Sequence, residues 1–257
     1  MPPEYKSIHV NVDSPVAQIT LACPPQNVID IAMMEELAAA LSVAESQAAV
    51  STILLEGEGQ NYSAGVDVAA HTADKVFEML VKFHTVIRAV VSTKKVTIAI
   101  VRGNCLGGGA ELAMVCDMVF TARDAHWAFP EIKLGCFPPV AATGLAALVG
   151  QKRAAELILI GREISGAEAL AIGLATTAVD AEELDATVDQ VLGRLAKLSP
   201  AALAVTKKAV YCWDAMHFDK GLARAEHIYL EELMKTEDAQ EGIRAWLERR
   251  EPRWKGR

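Results

Sequence analysis

The chain has 257 residues, 52% of them hydrophobic, enough for one large domain, or a domain with a helical appendage, around a substantial core. With 33 acidic against 25 basic residues its formal charge is −8, which argues against broad nucleic-acid binding. No apolar run reaches the about eighteen residues of a membrane span, and Met1-Pro2-Pro3-Glu4-Tyr5-Lys6 lacks the apolar core of a secretory signal, so a cytoplasmic protein is expected.

Short apolar runs alternate with turn signals at the start. Ile8 to Val12 and Val16 to Leu21 read as strands around Asp13-Ser14-Pro15, and Ala32 to Ala44 as a helix, with Ile31, Met34, Leu37, Ala38 and Leu41 at helical spacing. Thr52 to Glu56 is a β-branched strand closed by Gly57-Glu58-Gly59. A helix from Asp74 to Ser92 and a strand from Val96 to Val101 follow. Past the glycines come a helix near Ala110 to Cys116 and a strand from Met118 to Ala122. This alternation predicts an α/β architecture with parallel pairing. Beyond Pro139 the strand signal fades, and Gln151 to Ile160, Gly166 to Ile172, Ala181 to Leu198, Pro200 to Trp213 and Phe218 to Lys235 read as helices. The division expected is an α/β body over 1–200 and a helical region over 201–257.

Gly103-Asn104-Cys105-Leu106-Gly107-Gly108-Gly109-Ala110-Glu111 joins a strand to a helix. Three glycines can simply make a tight turn. A glycine-lined helix start can also point free backbone N–H groups at a developing negative charge. Gly108 and Glu111 are spaced to share one helix face, and Glu111 is followed by Leu112-Ala113-Met114-Val115, an apolar setting for a charge. Its plain reading is a carboxylate on the helix dipole. A second carboxylate, Glu131, stands in Phe129-Pro130-Glu131-Ile132, expected at a strand end or in a loop, where a surface salt bridge is the plain reading. Two nearby glutamates could move protons around one site. Tyr62-Ser63-Ala64-Gly65-Val66-Asp67-Val68 could supply another N–H, two converging donors making an oxyanion hole. Asp67 itself suits a helix cap.

The five cysteines (Cys23, Cys105, Cys116, Cys136, Cys212) form no CxxC and accompany no histidine cluster, so buried thiols are expected and no metal site. A cysteine nucleophile at Cys105 or Cys136 would lack an evident partner base. His9, His71, His84, His126, His217 and His227 show no spacing of a metal site or triad. Arg244, Arg249, Arg250, Arg253, Lys255 and Arg257 cluster near the end, as cations favourably placed on a helix C-terminus.

Taken together, Ser63-Ala64-Gly65-Val66-Asp67, the Gly103 to Asp117 segment, Pro130-Glu131 with Leu134-Gly135, Gly150-Gln151-Lys152-Arg153-Ala154, Gly161-Arg162, Ala167-Glu168-Ala169, Gly173-Leu174, Glu237 to Trp246 and Glu251-Pro252-Arg253-Trp254 resemble the enoyl-CoA hydratase/isomerase, or crotonase, family over nearly the whole chain. The resemblance implies a crotonase-like spiral of repeated ββα units with C-terminal helices for trimer formation, as a homotrimer or dimer of trimers. It places the two thioester-binding backbone donors at Val66 and Gly108, the catalytic glutamates at Glu111 and Glu131, and substrate contacts at Ala64, Gly65, Asp67, Phe137 and Pro138. It implies an acyl-CoA substrate whose coenzyme A is not a separate cofactor, and no metal, nucleic-acid or membrane partner. The basic cluster would then also suit the phosphates of CoA.

Asn27-Val28-Ile29-Asp30, Val66-Asp67-Val68-Ala69-Ala70-His71 and Pro130 to Phe137 resemble more narrowly the hydratases of this family that act on cyclohexa-1,5-diene-1-carbonyl-CoA. Ala69 stands where a lysine is common, and Phe137-Pro138-Pro139-Val140 replaces a small, glycine-rich stretch beside the acyl pocket. The resemblance thus implies a hydratase for a cyclic dienoyl-CoA. The alternatives it leaves are a straight-chain enoyl-CoA hydratase, a double-bond isomerase, and a non-catalytic RNA-binding member, which the acidic balance disfavours.

Overall fold

Every side chain of the strand Val96–Val101 is buried, so the sheet it belongs to is covered on both faces. The computed structural model describes residues 5–211 and 214–255, with only the backbone for 214–217; Met1 to Glu4, Cys212, Trp213, Gly256 and Arg257, and the side chains of Asp214, Ala215, Met216 and His217, lie outside what it describes. In chain order the elements are β1 (Ile8–Asp13), β2 (Val16–Leu21), α1 (Ile31–Ser46), β3 (Thr52–Gly57), α2 (Val76–Ser92), β4 (Val96–Val101), β5 (Asn104–Leu106), α3 (Gly108–Met114), β6 (Met118–Ala122) and β7 (His126–Ala128). Then come α4 (Pro139–Val149), α5 (Gln151–Ile160), β8 (Ile164–Ser165), α6 (Gly166–Ala171), β9 (Thr177–Val179), α7 (Leu184–Leu195), α8 (Pro200–Tyr211), α9 (Asp214–Glu231) and α10 (Glu237–Leu247).

A six-stranded sheet runs β1-β2-β3-β4-β6-β9, antiparallel at β1-β2 and parallel elsewhere. A three-stranded sheet, β5-β7-β8, stands beside it. Alternation along β4 sends Val96, Ile98 and Ile100 to one face, where Leu54, Phe120 and α7's Leu184 and Val188 meet them. The opposite face carries the larger core, in which Met33, Leu37, Phe83, Val86 and Ile87 of α1 and α2 pack with Ile19, Ile53 and Ala99. Double burial explains why β3 and β4 read as continuous apolar runs.

The predicted strands and most helices are present, with corrections at their ends. The strand signal does not stop at Pro139: β8 and β9 are short, and β9 completes the large sheet by pairing with β6. Two or three residues are too few to show a period, so their neighbours decide them. Ala181 to Leu198 is a 3-10 turn (Ala181–Glu183) followed by α7, and the helix expected from Phe218 to Lys235 begins at Asp214 and closes in a 3-10 turn, Leu233–Lys235. No helix among the described residues is long and apolar enough to cross a membrane.

Candidate active site

Two loops leave the carboxyl ends of β3 and β4 and are stitched to each other. Ser63 donates its N–H to Asn104 O at 2.9 Å and accepts that of Leu106 at 2.9 Å, while Tyr62 N–H reaches Arg102 O at 2.8 Å. Buried Asn27 holds the first loop from beneath, its Nδ2 donating to Glu58 O at 3.0 Å and Asn61 O at 2.8 Å. The Ser63 hydroxyl donates to Asn27 O at 2.7 Å and accepts the Gly65 N–H at 3.0 Å. These polar groups are inside, and each is paired.

The glycines set how near the loops come. A Cβ on Gly108 would lie 3.3 Å from Val66 N and 2.6 Å from Val66 Cγ2, and one on Gly65 would lie 3.3 Å from Gly108 N. The backbone nitrogens of Val66 and Gly108 are therefore neighbours. Neither takes part in the bonds that join the loops, and Gly108 is the first residue of α3, where an N–H has no intrahelical acceptor.

Glu111 sits one turn into α3, 3% exposed, and its Oε1 accepts the N–H groups of Val140 at 2.8 Å and Ala141 at 2.9 Å. Those donors are orphans of the first turn of α4, whose leading Pro139 has no N–H to offer. Burial pushes the Glu111 carboxyl up to about 7, and the two N–H bonds oppose the rise.

Glu131 lies in a 3-10 turn, Pro130–Leu134, not at the strand end or in the loop expected from sequence. Pro130 starts the turn, and Gly135, in left-handed conformation at φ +70°, ends it. Glu131 Oε1 faces Gly107, where a Cβ would stand 2.8 Å away, and Oε2 is buried with no hydrogen-bond partner among the described residues. Burial first and the Glu111 charge second push its carboxyl well above the usual range. A surface salt bridge is not what this carboxylate makes.

One cavity of about 330 Å³ gathers these groups, and Ala64, Gly65, Val66, Gly108, Glu111, Glu131, Phe137 and Pro138 all line it. Asp67 does not. Its carboxylate accepts the Ala69 N–H at 3.0 Å and caps the 3-10 turn Val68–His71, as a short acidic side chain at a helix start does. The segments holding Asn27, Ser63 and the N-terminus of α4 stand out in the sequence, but nothing there tells that these groups fix the loop or pair with Glu111, and the lining residues His84 and Tyr229 carry no local sequence signal for a site. Asn27 shows at most as the one left-handed residue of its loop, at φ 47°. Cys105, Cys116 and Cys136 are buried with their thiols pushed up, an unreactive setting. In the basic cluster, Arg244 and Arg250 converge on Glu241 and Lys255 pairs with Glu237.

Such a site can hold an oxygen between two N–H groups and pass protons between two carboxyls beside it. Comparison with known proteins adds the family. Residues 11–257 match the model of the enoyl-CoA hydratase/isomerase family. The chain is 35% identical to a cyclohexa-1,5-dienecarbonyl-CoA hydratase of Thauera aromatica, covering 95% of both chains. It is 36% identical to a probable enoyl-CoA hydratase of Bacillus subtilis, covering 97% of this chain and 99% of the other. Among solved structures, an enoyl-CoA hydratase from Mycobacterium avium subsp. paratuberculosis superposes with a TM-score of 0.88 at 28% identity, over 98% of this chain and 100% of that one. An enoyl-CoA hydratase/isomerase from Xanthobacter autotrophicus gives 0.87 at 30% identity, over 98% and 100%. With its whole length and its fold accounted for in this way, the chain belongs to the enoyl-CoA hydratase/isomerase family, an enzyme family acting on acyl-CoA thioesters.

Proposed function

We propose that the protein hydrates a cyclic, doubly unsaturated acyl-CoA, with Glu111 and Glu131 as its proton-transfer groups and the Val66 and Gly108 N–H groups as its oxyanion hole. The observation that carries this reading is the pair of buried, raised carboxyls lining one cavity with two neighbouring backbone nitrogens. The thioester oxygen accepts both N–H groups and takes on negative charge as water adds. Glu111, whose charge the Val140 and Ala141 N–H groups support, removes a proton from the water as its oxygen bonds to carbon. Glu131, held uncharged by burial, delivers its proton to the enolate carbon. The sum is one water added, and the proton Glu111 gained restores Glu131 for the next cycle. Coenzyme A enters and leaves as part of the substrate.

The ring preference is supported by Phe137, Pro138 and Pro139, which line the cavity as rigid walls, and by the name of the Thauera relative. The test is water addition, followed by mass, with cyclohexa-1,5-diene-1-carbonyl-CoA beside crotonyl-CoA. Preference for the diene supports the reading. Preference for crotonyl-CoA makes the protein a straight-chain hydratase, and no water gained by either removes the two-glutamate mechanism.

A further inference from the structure

Of the residues that line the cavity, Lys133 and Trp246 are exposed, marking its mouth, and Leu80, Phe83, His84 and Tyr229 are each at most 3% exposed, marking its buried end. A thioester with a large, charged nucleotide carrier must keep the carrier at the mouth, so the acyl group occupies the buried end. That end is not purely apolar. Among the buried side-chain atoms without a hydrogen-bond partner in the described residues are His84 Nε2 and Glu131 Oε2, both on residues that line this cavity, while the Tyr229 hydroxyl there lies against the Cys136 thiol. Glu131 has a role in the mechanism above; His84 has none.

His84 is held from behind. Its Nδ1 is 2.6 Å from Glu226 Oε1, and Arg88 donates to the same oxygen at 2.9 Å. A carboxylate already paired with arginine accepts and does not donate, so Nδ1 carries the proton. In the neutral ring the proton on Nδ1 leaves Nε2 a bare lone pair, and burial holds the imidazole below its ordinary proton affinity. Tyr229 lies one turn along α9 from Glu226, so the two helices that fix His84 also close the pocket. A hydrocarbon placed against Nε2 would leave a buried acceptor unpaired, which is costly. A hydroxyl would pair it.

We propose that His84 is a specificity-determining residue whose Nε2 accepts a hydrogen bond from an alcohol hydroxyl on the acyl group. This rests on the acyl-CoA reading of the cavity. The hydroxyl can be the one that hydration installs or one that the substrate already carries, and ligand position separates the two.

The experiment titrates three saturated ring thioesters calorimetrically: cyclohexanecarbonyl-CoA, and its derivatives with a hydroxyl on the carbon next to the carboxyl-bearing one or across the ring. All proteins carry Glu111→Gln so that bound thioester is not turned over, and they are compared with and without His84→Phe or His84→Gln. One hydroxylated ligand is expected to bind about ten-fold tighter than the plain ring, with the preference lost in His84→Phe and partly kept in His84→Gln, whose amide oxygen still accepts. A winning hydroxyl next to the carboxyl-bearing carbon assigns it to the reaction; one across the ring assigns it to the substrate. The readout is the ratio between ligands, which a merely structural histidine would not move. Equal binding of all three to the parent, or a preference that survives His84→Phe, overturns the proposal. If none binds, the acyl-CoA reading itself has failed. Should His84→Phe not fold, the parent ratio and His84→Gln decide.

Discussion

Glu111 and Val140 are joined across the cavity wall, carboxylate Oε1 to backbone N–H at 2.8 Å, so the first turn of α4 serves as the counter-charge of a buried acid. The helix has no capping side chain of its own. Glu111 takes that place from another element, and the dipole of α4 favours the ionised form that burial opposes. Replacing Glu111 or Glu131 by Gln keeps the shape and an acceptor oxygen but removes the transferable proton. Each variant is expected to lose about 10²–10⁴ in turnover with acyl-CoA. Steady-state rates of the two variants check this, and an isomerase would instead tolerate one of them.

The same burial sets a pH dependence of stability. Glu111 titrates near 7 in the folded protein against an ordinary 4.5. Below pH 4.5 both folded and unfolded chains hold the proton, and nothing is lost. As pH rises to about 7 the unfolded chain releases a proton that the folded one keeps, so stability falls, by an amount on the order of 3 kcal/mol, and then levels off. Glu111→Gln removes this loss, together with its push on Glu131. Denaturant unfolding at pH 5 and pH 8 should show the variant gaining on the parent by roughly 2 kcal/mol between the two. A variant that loses stability relative to the parent between pH 5 and pH 8 would contradict a buried acid.

Gly108 offers a change that separates fold from function. Its backbone is helical and an alanine suits a helix better than glycine does, yet the added Cβ would press on Val66 Cγ2 at 2.6 Å and Phe83 Cζ at 3.2 Å. Gly108→Ala is expected to fold, with the overpacking cost of about 1–3 kcal/mol partly offset by a helix-propensity gain of up to about 1 kcal/mol, and to lose about 10²–10³ in turnover as the two N–H groups move apart, a loss far beyond the small drop in melting temperature. Paired thermal unfolding and kinetics measure both halves.

How much of this was legible in the residues follows from the range of each interaction. Strand β2 by its alternation, β3 and β4 by their short continuous apolar runs, and helices α1 and α2 by apolar residues at helical spacing are readable locally. The elements that decide the site chemistry were less so. The Glu131 turn is five residues long, and only Pro130 at its start and Gly135 at its end mark it. The role of Phe137-Pro138-Pro139-Val140 could be guessed as a pocket wall, but its service as the N–H donor to Glu111 depends on a contact across 29 residues of chain. The Gly108 N–H is suggested by its spacing from Glu111 on one helix face, whereas Val66 as the second donor comes from resemblance to a family, because glycine-rich turns are common. Asp67 shows the converse: its local capping pattern was the better guide to where its carboxylate points.

The C-terminal helix reaches this chemistry through the Glu131 turn. A Cβ on Gly242 in α10 would stand 2.1 Å from Leu134 O, and one on Gly135 would stand 2.9 Å from Asp238 O, so the helix and the turn are in backbone contact. Glu241, next to Gly242, anchors the segment by accepting from Arg244, Arg250 and the Arg253 N–H, which holds its carboxyl far below the usual range. Gly242→Ala leaves no flexible side chain to yield, since the obstacle is main chain. It should cost about 1–3 kcal/mol of stability as an overpacked contact and also lower turnover, because the displaced turn carries Glu131 away from Gly107. Gly193→Ala within α7, where an added Cβ meets nothing within 4 Å, is the control: it should gain about 0.5–1 kcal/mol of stability, since a helix prefers alanine, and leave turnover unchanged. A Gly242→Ala protein that melts early but turns over normally would show that α10 supports the fold without positioning the acid.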